Sequence, residues 1–260
     1  MSALLIGCCA VLGLVIGSFL NVVIWRVPRD ESVIRPPSRC PGCGEPVAPR
    51  DNLPVLSWLL LRGRCRHCAM PISSRYPLVE IGTAMLFGLM AARFGFDPAL
   101  PAFLYLSAVG LALAVIDLDH KRLPFALTIP SYPVALVLLT GAALAAGHPD
   151  RLIRMLAGML SLFAFYFVLN LVNPRGMGFG DVMLSGILGV YLGFLGWGPL
   201  LVGAFLGFLF GALGGLLFIA LGRGSRKSHI PFGPYMLTGT LVAILAGRAL
   251  AGAYVHATLG

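Results

Sequence analysis

Long apolar runs separated by short polar breaks dominate the chain. Eight stretches approach the roughly 20 apolar residues that cross a bilayer: residues 3–25, 77–94, 99–118, 125–146, 152–172, 181–197, 199–222 and 232–252. Glycines interrupt the last three. Residues 27–76 break the pattern, being rich in Pro, Cys and Arg, and are the one stretch that reads as a water-soluble unit. The pattern predicts an all-α polytopic membrane protein of about eight transmembrane helices. It divides into a first helix (1–26), a loop domain (27–76) and a seven-helix membrane core (77–260). Gly203, Gly207, Gly211 and Gly215 fall on one face of the seventh span, a small-residue stripe that lets helices approach closely.

Composition agrees with that pattern. With 58% hydrophobic and 11% charged residues and a mean hydropathy of +0.90, 260 residues carry more apolar surface than a soluble fold can cover. The first run lacks a basic start and continues into Trp25 and Arg26, so it reads as a span rather than a cleaved signal peptide. A net charge of +9 would suggest nucleic acid in a soluble protein; in a membrane protein it first reports orientation. If loop 26–76 is cytoplasmic, so are 119–124, 173–180 and 223–231, and these hold fifteen of the nineteen Lys and Arg residues. Arg93, Arg151, Arg154 and Arg248 fall on the other side, and both termini lie outside the cytoplasm. Nucleic acid is not expected as a partner, and the loop arginines are placed to meet anionic lipid.

Four of the six cysteines form two pairs, Cys40-Pro41-Gly42-Cys43 and Cys65-Arg66-His67-Cys68. Two CxxC turns joined by a short spacer suit one tetrahedral zinc with no open position, hence a structural ion. In a reducing compartment such a set reads as a metal site before it reads as two disulfides. His67 lies between ligands, but four thiolates already satisfy zinc. A loop this small has little core, so the ion would supply much of its folding energy.

Asp117 closes the third span and Asp181 opens the sixth, on the same predicted membrane face. An ionisable group in a span costs roughly 2.5–3.5 kcal/mol at the helix centre and therefore marks function by default. Asp119, beside His120, Lys121 and Arg122, can be solvated. Residues two apart on a helix point to nearly opposite sides, so depth selects Asp117 over Asp119 as the inward carboxylate. Asp181 follows Gly176-Met177-Gly178-Phe179-Gly180, three glycines in five residues that leave the backbone adaptable. A helix cap is the plain alternative for Asp181. Two carboxylates that meet at a watery edge share one proton, and one can activate water while the other polarises a carbonyl, with no metal needed for cleavage.

These residues, with several others in order, resemble the type IV prepilin peptidases, a GxGD-type family of membrane aspartic proteases. The opening segment Gly17-Ser18-Phe19-Leu20-Asn21-Val22-Val23 with Arg26 and Pro28 is similar to theirs, as is Ile72-Ser73-Ser74-Arg75-Tyr76-Pro77-Leu78-Val79-Glu80. Asp117 ahead of Pro124 matches the first catalytic aspartate, Gly178-Phe179-Gly180-Asp181 the motif holding the second, and Ile230-Pro231-Phe232-Gly233-Pro234 the start of the last helix. The resemblance implies a bacterial inner-membrane enzyme that removes the basic leader of prepilins and type II secretion pseudopilins. Cleavage falls after a glycine, at the cytoplasmic face. It also implies S-adenosylmethionine-dependent methylation of the new N-terminus in many members, by residues that no motif here identifies. One departure is Met183, where the family usually carries Lys; this bears on how the pair shares its proton. Asp30, Glu31, Glu45 and Asp51 are the loop acids available to a basic leader. Asn21 and Ser18 read as interhelical hydrogen-bond partners, His229 as an interfacial residue, and Glu80 either as a first-turn acid favouring the helix dipole or as a group facing the site.

Two other function classes fit parts of the chain. A proton-coupled transporter would spread its carboxylates through the membrane depth, and no long internal repeat accompanies them. A non-catalytic scaffold binding partners through its zinc loop leaves the glycines before Asp181 without purpose. No feature of the chain specifies an oligomeric state.

Overall fold

The computed structural model describes residues 2–174, 176–221 and 231–259. Arg175 and the basic stretch with Arg223, Arg226, Lys227 and His229 lie outside the described residues. Nine α-helices are described: α1 Ser2–Arg26, α2 Leu56–Leu60, α3 Arg75–Phe94, α4 Leu100–His120, α5 Phe125–Ala145, α6 Asp150–Val172, α7 Phe179–Leu195, α8 Trp197–Ala220 and α9 Gly233–Leu259. Seven of them are long and apolar enough to cross a membrane. The exception among the expected spans is α7, an apolar helix of 17 residues, about 26 Å long against a hydrocarbon core of about 30 Å. Among the described residues there is no sheet, only two isolated bridges in the cysteine loop. The protein is an all-helical, multi-pass membrane protein.

Contacts divide the chain into two units, Met1–Ala112 and Leu113–Gly260, with the boundary inside α4. In the first unit α1 packs along α3. The crossing depends on glycine: a Cβ on Gly13 would lie 2.7 Å from the Ala84 backbone, and one on Gly17 would lie 2.7 Å from that of Glu80. The Asn21 amide donates to the Tyr76 carbonyl at 3.2 Å and the Ser18 side chain hydrogen-bonds Glu80, so both act as interhelical partners as the sequence suggests. Glu80 is not the first-turn acid that one of its two readings expected. It is buried in the second turn of α3 and accepts from the Val55 N–H at 2.7 Å, tying the loop to the helix.

The second unit is built around α7. Val182 and every residue from Leu184 to Leu195 are buried, enclosed by α5, α6, α8 and α9. A helix wrapped in protein need not match the bilayer thickness, which is how a short one is accommodated. Gly158 of α6 and Gly189 of α7 meet backbone to backbone: a Cβ on either would collide with the other's carbonyl oxygen. Gly193 likewise sits on the Arg154 carbonyl. On α8, Gly203, Gly207 and Gly211 face Ala243, the Met236 backbone and the Phe232 ring, so three members of the stripe pack on α9 and its approach.

α5 keeps Pro130 and Pro133 inside its length. Helix interiors lose amide hydrogen bonds at such positions. Here Tyr132 between them donates to the Met183 carbonyl of α7 at 2.6 Å, with Gly186 leaving room for the phenol. Gly196, at φ 133°, turns α7 into α8 in one residue, a conformation essentially reserved for glycine. At that end Arg248 donates to the Leu195 carbonyl at 3.0 Å and Arg151 lies over the Phe194 ring, while Arg154 pairs with Asp150 at 3.0 Å. Arg248 and Arg151 thus close the carboxyl end of α7, where cations are favourable.

Gly189→Val must separate α6 from α7. It is expected to lower stability by about 1–3 kcal/mol, read as a fall in Tm of the detergent-solubilised protein. Gly141→Ala, with nothing within 4 Å of the added carbon, is the control and should change stability by less than about 0.5 kcal/mol.

Candidate active site

Asp117 lies on the last full turn of α4, 4% exposed, whereas Asp119 two residues on is exposed. The opposite fates follow from helix geometry. Behind them Lys121 adopts φ 52° and its N–H closes on the Asp117 carbonyl at 2.8 Å, ending the helix and turning the chain toward α5. The Asp117 carboxylate is not left bare: its Oδ2 accepts from the Gly233 N–H at 3.0 Å, across 116 residues of sequence. Gly233 is the first residue of α9, where amides have no helical acceptor and the dipole favours negative charge.

Asp181 occupies the first turn of α7. It is not the N-cap residue. Gly178 holds that position, and the Asp181 Oδ2 reaches back to the Gly178 N–H at 3.2 Å, which forms the acidic half of a capping box. Each aspartate therefore has one oxygen held by a glycine amide. Gly180, next to Asp181, and Gly233, bonded to Asp117, both lie against Leu123, so the two aspartates belong to one end of the second unit.

The convergence rests on Leu123, a residue that sequence reasoning missed. It is buried in the short turn after α4. A Cβ on Gly180 would lie 2.9 Å from the Leu123 Cβ, and one on Gly233 would lie 3.3 Å from Leu123 and 2.9 Å from the Asp117 Oδ2. One leucine thus sits against the starts of both α7 and α9, and only hydrogen atoms fit between. Below, Tyr166 stacks on Phe208 at 5.2 Å between ring centroids and Phe208 meets Phe232 at 5.4 Å, which seats the approach to α9. The available signal for Gly233 was its place just before Pro234, since a helix opening tolerates proline; nothing local marks Leu123.

The four cysteines form a separate cluster in the first unit. Their Sγ atoms all lie within 4.8 Å of one another, with Cys40 and Cys68 at 3.6 Å. Four sulfurs about 2.3 Å from one ion stand roughly 3.8 Å apart, so the set fits a tetrahedral metal. His67 is not part of it. The two turns repeat one pattern: Arg39-Cys40-x-x-Cys43-x-x-Pro46 returns as Arg64-Cys65-x-x-Cys68-x-x-Pro71. Both copies fold alike. The Cys40 N–H donates to the Glu45 carbonyl at 2.9 Å and the Cys65 N–H to the Met70 carbonyl at 2.8 Å. Arg39 bridges to Pro46 and Arg64 to Pro71, and Gly44 at φ 74° and Ala69 at φ 57° take the same left-handed step.

Amides of Cys43 and Gly42 hold the Cys40 thiol down at about 6. Cys68, although the Met70 amide favours its thiolate, is pushed up to about 11 by desolvation and by the neighbouring sulfurs. A cation binding here must expel protons that the sulfurs otherwise retain. Arg66 grips Asp51 through both carboxylate oxygens, which holds that carboxyl below its ordinary range and occupies one of the four loop acids considered for a basic leader.

Residues 11–94 match the family described as the bacterial peptidase A24 N-terminal domain, and residues 104–219 match the type IV leader peptidase family. A prepilin leader peptidase/N-methyltransferase of Stutzerimonas stutzeri is 36% identical over 96% of this chain and 93% of its own. A protein of the same name from Aeromonas hydrophila is 39% identical over 93% of this chain and 91% of its own. A third, from Myxococcus xanthus, is 42% identical over 84% of this chain and 65% of its own. No solved structure gives a significant match.

The cluster should carry about one divalent ion per chain in protein purified without chelator. Replacing Cys40→Ser together with Cys65→Ser takes one ligand from each turn and should reduce that content at least about tenfold, as measured by elemental analysis.

Proposed function

We propose that this chain, which belongs to the type IV leader peptidase family, is a membrane-embedded aspartic endopeptidase with Asp117 and Asp181 as its catalytic pair. The observation that supports the assignment is that the turns holding Asp117 and Asp181, from distant helices, pack around Leu123 at one end of the second unit, each aspartate with one oxygen held by a glycine amide. Gly178 and Gly180 support the loop side of the pair. Substrates are the prepilins that the relatives' name specifies and, by the family resemblance, pseudopilins. The basic leader is cut after a glycine. A transporter would not need two acids at one end of a bundle.

In the reaction the pair holds a single proton between the oxygens not tied to glycine. The ionised member takes a proton from water, the protonated member polarises the scissile carbonyl, and the water oxygen bonds to the carbonyl carbon. Collapse breaks the C–N bond as a carboxyl returns a proton to the departing amine. The glycine amides keep each carboxylate in one orientation through the cycle, so little reorganisation is needed.

The remaining assignments follow from the same reading. The chain lies in the bacterial inner membrane with residues 27–76 and both aspartates on the cytoplasmic side and both termini outside, as the arginine distribution supports. The loop 27–76 is a zinc-stapled module that follows the first helix, residues 77–260 are the peptidase core, and the ion held by Cys40, Cys43, Cys65 and Cys68 is structural zinc. The double name of the relatives supports a second step, methylation of the new N-terminus with S-adenosylmethionine as donor.

Co-expression with a prepilin and a gel shift on processing tests the pair. Asp117→Asn and Asp181→Asn should each lower cleavage by more than about 10²-fold, while Asp119→Asn cleaves normally; retained cleavage in both of the first two sinks the proposal. Gly233→Ala, which pushes on the Asp117 carboxylate, should cost about 10- to 100-fold with helix content unchanged. Mass spectrometry of the processed pilin should show one added methyl group if the second step operates.

A further inference from the structure

The loop contains a helix that is turned inside out. In α2, Leu56, Leu59 and Leu60 share one face by their i, i+3, i+4 spacing, and they are 59%, 57% and 81% exposed, with Leu53 exposed beside them. The polar Ser57 takes the inward face, donating to the Arg50 carbonyl at 2.9 Å and accepting from the Leu53 N–H at 3.1 Å. Trp58 donates its indole N–H to the Ile72 carbonyl at 3.0 Å. The inner side of the helix is therefore already engaged, and the leucines have no inward place to go.

We propose that this face is a membrane anchor: Leu53, Leu56, Leu59 and Leu60 sit at the boundary between headgroups and acyl chains of an anionic lipid surface. Two further observations select lipid as the occupant. The residue that opens α2, Val55, is bonded through its N–H to Glu80, inside a membrane-spanning helix. That bond holds the leucines beside the span, and α3 itself exposes Leu78, Ile81, Met85 and Leu89 as an apolar stripe. Basic residues then follow at once, exposed Arg62 and Arg64, with Arg62 at φ 52° turning the chain away from the helix. An apolar face bordered by arginines is the composition that lies in the interface of a negatively charged leaflet. The metal turn between Cys65 and Cys68 starts directly after this anchor, so the anchor fixes how the loop stands on the membrane.

The test places an indole on the face. Leu60→Trp, in a background carrying Trp25→Phe and Trp197→Phe, is reconstituted into vesicles of phosphatidylcholine and phosphatidylglycerol, with the unmodified Leu60 background as reference. The added emission should fall about twofold or more with lipids brominated high on the acyl chain and be shielded from aqueous acrylamide, more so as phosphatidylglycerol rises. Emission that acrylamide quenches freely and brominated lipid does not would overturn the proposal. So would shielding that appears only when a substrate segment is added, or only as the protein-to-lipid ratio rises, since the face would then belong to substrate or to a second copy. Retained metal content shows that the loop is folded; if Leu60→Trp loses it, Leu59→Trp is read in the same way.

Discussion

A carboxylate enclosed by apolar helices must keep a hydrogen-bond donor within reach, because the alternative is a bare polar group in a medium that cannot solvate it. Much of the second unit is arranged around that requirement. Asp117 is satisfied by an amide that α9 has to spare, since the first amides of any helix lack internal acceptors. This brings the start of α9 onto the end of α4. The same turn carries Leu123 against Gly180, so the start of α7, with Asp181, is drawn to the same point. Glycine at 180 and 233 is then a matter of space. A side chain at either position would push on Leu123, and at 233 on the carboxylate itself.

The enclosure of α7 serves the same end. A helix that starts at a polar site and passes through the bundle is held by neighbours on every side: glycine contacts with α6, the Tyr132 phenol of α5 on its Met183 carbonyl, and the Arg248 guanidinium on its last turn. In lipid, where burial of apolar surface gives helices little reason to associate, close backbone approach and interhelical hydrogen bonds take over. Met183 supplies its backbone carbonyl as the acceptor for the proline-flanked Tyr132.

The loop solves a different problem by different means. With almost no core, it is organised by a pair of matching cysteine turns, an Arg66–Asp51 clamp and the Glu80 anchor. The two turns are copies of one short pattern, and glycine at 44 takes the left-handed step more easily than alanine at 69. Because the anchor is a buried acid of α3, loop and span are joined by a hydrogen bond as well as by the chain.

Sequence alone determined the helical membrane architecture, the position of nearly every span, a cysteine tetrad with the spacing to hold a metal, and the separation of Asp117 from Asp119. Each of these is a local demand: lipid imposes a length of apolar residues, a metal imposes donor types at fixed spacing, and a helix imposes opposite directions two residues apart. Tertiary structure alone decided that Gly233 serves Asp117, that Leu123 brings the starts of α7 and α9 together, that Glu80 holds the loop, and that α7 is enclosed from Leu184 onward. Those depend on which distant backbone arrives with a spare donor or an empty Cβ position. Residue types do not encode such a meeting until packing has brought the helices together.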